Sequence, residues 1–529
     1  MADDLALTAS DALSPRPTRV PSVPLARLAA LVDTDLRLPR EAPAGQPPDV
    51  PDVTGMTLRS QSVRPGDLYA ALAGGRTHGA QFAPAAAGSG CAAFVTDPAG
   101  AQRCLDSGRP TLVVDTPRSR IGLLAREVYG AACDAVRTIG VTGTSGKTTT
   151  TYLLEGGLRA GGGPTALIGT TGTWIAGRPV ASALTTPEAP ELHALFAVMR
   201  ENDVRDCAME VSSHALVQGR VDGVMFDVAV FLNLGRDHLD FHADLEDYFA
   251  AKASLFTPAR ARRAVVNVDD AHGRRLADQT DVPVVTFSAA GRPGADWRAA
   301  DIEPTPTGTR FALVGPDGAR VPASCPLPGA FNVANALAAL AALAVLGEPV
   351  EAAAAGVAAS HPVPGRMEQV HAGQPYRVLV DYAHKPDAVE AVLSALRPVT
   401  AGRLLLVLGA GGDRDPGKRA LMGRIAARQA DVVVVTDDNP RTENPAEIRA
   451  ALLAGARAVV DGANLVELAD RATAIRHAVS IAAAGDCVVI AGKGHERGQE
   501  VDGVVHPFDD RAVARRAVRE QLQQSGPCP

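Results

Sequence analysis

The chain has 529 residues, 46% of them hydrophobic and 21% charged, with a formal net charge of −7. Such a length accommodates about three to four domains with large cores, and the negative balance argues against a nucleic-acid binder. Seven scattered cysteines without a CxxC spacing signal neither a zinc site nor a disulfide framework, which fits a reducing, cytoplasmic setting.

No basic start followed by an apolar stretch is read at the N-terminus, so no signal peptide is expected. The longest apolar run, ALAALAALAVLG from Ala336, falls short of the roughly 20 residues a bilayer requires, so no membrane insertion is expected. The first residues are rich in Ser, Pro and Asp, and a second Pro-rich stretch, REAPAGQPPDVPDV, follows; residues 1–52 are expected to form a flexible extension and lead-in. Short β-type runs (CAAFVTD, PTLVVD) then alternate with Ala-rich pieces and predict a small α/β domain over 53–134. A second unit, 135–363, opens at VRTIGVTG and continues through DCAMEV, FDVAVFLNL, RAVVNV and VPVVTF to the Ala-rich helix after Asn335. The third, 364–529, alternates regularly. YRVLVDYA, RLLLVLGA, DVVVVTD, a weaker NLVELAD and DCVVIAG are strands, with helices from Pro386, Lys418, Asn444, Arg471 and Asp509. Repeated βα units predict a doubly wound, mainly parallel Rossmann-like sheet. The expected fold class is therefore α/β in three domains: a small N-terminal one, a central P-loop ATPase-like one and the C-terminal sheet.

The central domain begins with a compressed phosphate loop. In GxxxxGK[ST] the first glycine would fall at Val141, so only Gly143-Thr144-Ser145-Gly146-Lys147-Thr148 remains. It still follows a β-type run and opens a helix, where backbone N–H groups and the helix N-terminus suit phosphate oxygens. Lys147 would neutralise β/γ-phosphate charge and Thr148 would offer an oxygen to magnesium; Thr149 follows in the same turn. A guanine reader of the NKxD type is missing, since no Asn-Lys pair occurs, which argues against GTP. Two further stretches, MEVSSHAL with Glu210 and NLGRDHLDFH with His238, follow neighbouring strands. Together they would complete a magnesium site, because that ion takes few protein ligands; separately, a strand-end cap and a solvated loop histidine are the plain readings.

The ordered set GTSGKTT, TTPE, MEVSSH, NLGRDHLDFH, AAKASLF, PGAFNVANALAA, VPGRME, DYAHKPDA, GAGGDRD, DDNPR and AGKGHE resembles the Mur ligases, ATP-dependent amide-forming enzymes of peptidoglycan synthesis. The likeness runs from about Thr54 to the last helix, with Ser145 where the family commonly has Asn. It implies that Lys147 and Thr148 handle ATP phosphates and magnesium. It also implies that Glu210, His238 and Lys252, the last as a carbamylated lysine, complete the metal site. A lysine ammonium has only donors and cannot ligate a cation, whereas its carbamate is an anionic oxygen ligand. By the same resemblance Asn332 and Asn335 lie near adenine, Arg366 near phosphate and Asp381 near the ribose. Leu58, Ser60, Gly75 to Thr77, Thr185, Thr186, Ser212, Gln218 and Arg220 would meet a UDP-N-acetylmuramoyl dipeptide.

Three polar stretches end strands of the third domain, where doubly wound sheets bind ligands. Diaminopimelate differs from lysine by a distal carboxylate, and arginine grips carboxylates with two parallel bonds. Arg414 and Arg441 supply guanidinium groups, Glu496 would accept from the distal ammonium, and Asp438, Asn439, Pro440 and Gly492 complete the set. The DNPR form resembles diaminopimelate-adding members, and lysine would leave a guanidinium unpaired. The implied reaction forms an acyl-phosphate at the D-glutamyl γ-carboxylate, which the amine then attacks, with closing hinge motion of the third domain. A monomer with a role in cell wall growth, shape and division is implied. A lysine-adding ligase and a folylpolyglutamate synthase-like ligase stand as alternatives, as does a non-catalytic nucleotide-binding regulator or scaffold.

Overall fold

Strand Arg137–Thr142 organises the first part of the molecule, because the strands on either side carry the other candidate catalytic groups to the same end. It pairs in parallel with Asp206–Glu210 on one side and Val228–Phe231 on the other. Thr165–Gly169 lies beyond the former, and Ala264–Asn267 and Val284–Ser288 beyond the latter, all parallel. These strands read as continuous apolar runs because helices cover parallel sheets on both faces. Ile139, Val141, Ala208 and Val230 are each 0% exposed.

The computed structural model describes residues 12–39, 50–459 and 464–524. It divides into two compact units, one formed by residues 1–298, 315–319 and 337–357, the other by 299–314, 320–336 and 358–529. The border expected between residues 134 and 135 lies inside the first unit, where Leu124, Val128, Phe196 and Met199 belong to one hydrophobic core. A smaller sheet in this unit runs in the order Leu36–Arg37, Thr111–Val113, Ala93–Thr96, Asp67–Ala71 and Gly55–Thr57. Residues 12–39 depart from the flexible lead-in expected there. Leu25–Leu31 is a helix whose Leu25 and Leu28 are 1% and 0% exposed, and burying a leucine is worth about 1.5–3 kcal/mol. Arg16 also pairs with Asp67 at 2.7 Å. The first eleven residues and most of REAPAGQPPDVPDV lie outside the described residues, as does Cys528.

The second unit holds the regular βα alternation. Its sheet runs in the order Glu368–Gln369, Arg377–Asp381, Cys487–Ala491, Leu404–Leu408, Val432–Val435 and Leu465–Glu467. Only the edge strand Glu368–Gln369 is antiparallel. Three neighbouring strands therefore deliver AGKGHE, GAGGDRD and DDNPR to one end. Behind them Arg471 and Asp510 form an ion pair at 2.7 Å with both side chains 0% exposed. Arg471 also donates to the carbonyls of Ala491 and Asp437, so one buried guanidinium ties the starts of two of the loops. Stranding one charge of a buried pair costs about 3–5 kcal/mol, so this pair fixes the loop bases. Elements unread in the sequence include an antiparallel pair, Gly308–Val314 with Arg320–Cys325, and a hairpin, Gly498–Val501 with Val504–Pro507.

Among the described residues no helix is long and apolar enough to cross a membrane.

Candidate active site

The phosphate loop owes its shape to glycine and to one asparagine. Gly143 has φ +154°, and a Cβ there would lie 2.9 Å from the Cβ of Leu232, so a side chain would push the loop off the adjacent strand. Asn233, which sequence reasoning passed over inside NLGRDHLDFH, clamps the loop from that side. Its Oδ1 accepts from the Ser145 N–H at 2.9 Å, its Nδ2 donates to the Ser145 carbonyl at 3.1 Å, and its own carbonyl accepts from the Thr144 N–H. Thr144 Oγ1 in turn accepts from the Gly235 N–H at 2.9 Å. Helix Lys147–Ala160 then starts with Gly146 at φ +91°. Its first turn carries Lys147, Thr148 and Thr149, the two threonines 4% and 5% exposed.

Two ammonium groups converge on one carbonyl. Lys147 Nζ donates to the Gly143 oxygen at 2.8 Å and Lys252 Nζ donates to it at 2.9 Å. Lys252 is 1% exposed and lies 4.4 Å from the Tyr248 ring centroid. Glu210, 1% exposed, ends the neighbouring strand, and its carboxylate accepts from the N–H and hydroxyl of Thr170 at 2.8 and 3.1 Å. His238 sits in the loop after Val228–Phe231 with φ +52°. Its ring meets that of His214 edge-on at 4.9 Å. Among the described residues no group of three or more His, Cys, Asp and Glu side chains gathers as a metal site. Glu210, at the end of the strand paired with Arg137–Thr142, and Thr148, in the first helical turn after the loop, offer oxygens, a small set that suits a cation keeping most of its shell as water and phosphate.

The residues singled out for the nucleotide-linked peptide form a second cluster in the same unit. Thr186 Oγ1 donates to the Glu210 carbonyl at 2.9 Å and accepts from the Ser212 N–H at 3.2 Å. Arg220 reaches Gln218 Oε1 at 2.6 Å, the Thr186 carbonyl at 3.3 Å and Glu188 at 2.9 Å. Thr185 bonds Thr170 at 3.1 Å, which links this cluster to Glu210. Leu58 lines a cleft of about 270 Å³ together with Gly74, Arg118 and Glu188. Ser60 sits in the turn Ser60–Ser62 and does not line that cleft.

In the second unit Asn332, Asn335, Arg366 and Asp381 are brought together. Asn335 donates to Asn332 Oδ1 at 3.2 Å, and Asn332 donates to the Met367 sulfur at 3.4 Å. Asp381 accepts from the Met367 and Ala383 N–H groups at 2.7 and 2.8 Å. Burial raises its pKa, a shift that nearby Arg366 opposes. Arg366 itself stacks over the Tyr382 ring at 4.4 Å.

At the strand ends of that unit the structure joins Asp438, Asn439, Arg441, Gly492 and Glu496 into one network. Its centre is Lys493, a residue the sequence did not single out. Lys493 is 0% exposed, and its ammonium reaches Asn439 Oδ1 at 2.8 Å, Glu496 Oε2 at 3.1 Å and Asp438 Oδ1 at 3.7 Å. Asn439 Nδ2 closes the ring on Glu496 at 2.9 Å. Gly492 has φ +118°, and a Cβ there would sit 2.3 Å from Asp438 Oδ2, so only glycine lets the two loops meet. The Pro440 carbonyl packs against Gly412, where a Cβ would lie 1.9 Å away. Arg441 Nη1 donates to the Gly412 carbonyl at 2.6 Å. Arg414 is exposed and bonds none of this set. Arg419, 5% exposed and also unread in the sequence, pairs with Glu443 at 2.8 Å and braces the same loop.

A phosphate loop with two lysines and a carboxylate in one α/β unit, and a network of buried charges at the strand ends of another, are the features of a nucleotide-using ligase. The chain belongs to the Mur ligase family: residues 52–129, 141–343 and 365–494 match its catalytic, middle and glutamate ligase domains, respectively. It is 55% identical over 508 residues to a Streptomyces coelicolor protein named UDP-N-acetylmuramoyl-L-alanyl-D-glutamate--2,6-diaminopimelate ligase, covering 96% of this chain and 98% of that one. A Corynebacterium glutamicum protein of the same name is 49% identical over 486 residues, covering 90% and 93%. A solved structure of a ligase of that name superposes with a TM-score of 0.68 at 33% identity, covering 95% of this chain and all of the other.

Proposed function

We propose that this protein uses ATP to add diaminopimelate to UDP-N-acetylmuramoyl-L-alanyl-D-glutamate, a cytoplasmic step of peptidoglycan synthesis and hence of cell shape and division. The observation that carries the reading is the strand-end network. It holds an arginine fork, Arg441, and a carboxylate, Glu496, on loops tied by Lys493 and Arg471. A diamino acid with a distal carboxylate matches that pair of charges, and relatives at 55% and 49% identity carry the corresponding name. Lysine matches only the anion.

The roles follow from the chemistry. Backbone N–H groups of Gly143 to Thr148 cradle ATP phosphates, and Lys147 stabilises charge on the transferred phosphoryl. The D-glutamyl γ-carboxylate takes the γ-phosphoryl group, ADP leaves, and the amine of diaminopimelate displaces phosphate from the acyl-phosphate. Asn332, Asn335, Arg366 and Asp381 are assigned to ATP. Leu58, Ser60, Thr185, Thr186, Ser212, Gln218 and Arg220 are assigned to the nucleotide-linked peptide. The segments 53–134, 135–363 and 364–529 are assigned to that peptide, to ATP and to the amino acid. Magnesium fits beside the loop, held by Thr148, Glu210, His238 and a carbamylated Lys252, and when bound it neutralises phosphate charge. Two lysines on one carbonyl oxygen support carbamylation, since turning Lys252 into an anion replaces ammonium repulsion with attraction.

Mass analysis of products from the purified protein, ATP, the UDP-muramoyl dipeptide and a panel of diamino acids tests this reading. The diaminopimelate adduct is expected, with turnover falling when bicarbonate and carbon dioxide are stripped and returning when they are restored. A lysine adduct formed equally fast would refute the amino-acid assignment, and indifference to carbon dioxide would refute the carbamate.

A further inference from the structure

The hairpin Gly498–Val501 and Val504–Pro507 follows AGKGHE directly and projects an outer strand with Val504 and Val505 55% and 66% exposed. Its inner strand and turn are bonded to Asp438, Asn439 and Arg441 of DDNPR. The Arg441 N–H donates to the Glu500 carbonyl at 3.0 Å, and the Asp502 N–H donates to the Arg441 carbonyl at 2.7 Å. The Glu500 N–H donates to Asn439 Oδ1 at 3.0 Å, and Gln499 Nε2 donates to the Asp438 carbonyl at 2.7 Å. The Glu500 carboxylate then takes the Nε of Arg441 at 3.2 Å. Arg441 stands in the left-handed region, φ +52°, a conformation that a non-glycine residue keeps only when its surroundings impose it.

The guanidinium has five N–H donors. Glu500 occupies Nε, the Gly412 carbonyl takes one from Nη1, and Nη2 has no protein partner among the described residues. Nη2 and the second hydrogen of Nη1 thus remain to meet a carboxylate. A side chain standing in for the ligand would cover that end; Glu500 holds the opposite one.

We propose that Glu500 is a positioning residue that sets amino-acid selectivity by fixing the orientation of the Arg441 fork. This rests on the diaminopimelate reading above. Partners of this kind orient ligand-binding groups because they restrict the rotamer before the ligand arrives.

The test is steady-state kinetics of Glu500→Ala and Glu500→Gln in the full chain, alone and with Arg441→Ala, varying each substrate in turn. The Glu500 side chain is 38% exposed, so both variants are expected to fold with unchanged melting temperature. Glu500→Ala raises the KM for diaminopimelate about tenfold, as expected when a binding fork is misplaced. Glu500→Gln, which keeps an acceptor, raises it about threefold. The KM values for ATP and the UDP-muramoyl dipeptide stay put, and Glu500→Ala adds nothing once Arg441 is alanine. An unchanged or lowered KM for diaminopimelate, or an equal further loss in the Arg441→Ala background, overturns the role of Glu500. Parent protein that joins no diaminopimelate overturns the proposed function itself and this role with it; selective parent protein with an indifferent Glu500→Ala variant overturns this role alone.

Discussion

Lys147→Ala is expected to slow ligation by about 10²–10³ or more, the range found when one preorganised charge facing the transition state is removed. Two tasks are expected of the ammonium. Its bonds to the Gly143 and Thr144 carbonyls, at 2.8 and 3.2 Å, hold the loop's shape. With ATP bound it would turn to the phosphate charge. Single-turnover phosphate release at saturating substrates separates these tasks when read beside the affinity for a non-hydrolysable ATP analogue. A variant that binds the analogue several-fold more weakly but transfers phosphoryl at the parent's rate would show that Lys147 only shapes the loop.

The second large effect concerns amino-acid choice. The parent protein is expected to favour diaminopimelate over lysine by about 10³ or more in kcat/KM, because a site built around a hydrogen-bonded group rejects the analogue that lacks it. Arg441→Ala should bring that ratio to within about tenfold, mainly by loss on diaminopimelate. Competition between the two amino acids for one limited pool of nucleotide-linked peptide reads the ratio directly. A ratio untouched by the substitution would move the specificity to another group, with exposed Arg414 the next to test.

Much of this was legible in the sequence, and the exceptions have physical reasons. The phosphate loop, the strands beside it and the three strand-end loops were readable because glycines, apolar runs and charged turn residues follow one another at fixed spacing. Lys493 was not, since a lysine between two glycines reads as solvent-exposed; only the approach of Asn439 and Glu496 from other parts of the chain makes it a buried centre. Arg471 and Asp510 lie 39 residues apart, a pairing that no local pattern encodes. The helix Leu25–Leu31 was masked by the prolines before and after it, although Leu25 and Leu28 at a three-residue spacing already form an apolar stripe. The hairpin that carries Glu500 was missed because its outer strand exposes valines, whereas strand reading looks for one buried face. Asn233 shows the opposite case. It lies within NLGRDHLDFH, where His238 carries the more recognisable chemistry, and only the bonds to Ser145 reveal what the asparagine does.

The central claim is that the terminal phosphoryl of ATP passes to the glutamyl γ-carboxylate before the amide forms. Ligation with the nucleotide-linked peptide labelled with ¹⁸O in that carboxylate tests it most directly, by mass analysis of the phosphate released. The account predicts one labelled oxygen carried into inorganic phosphate for each amide made; phosphate free of label alongside full amide yield would contradict it.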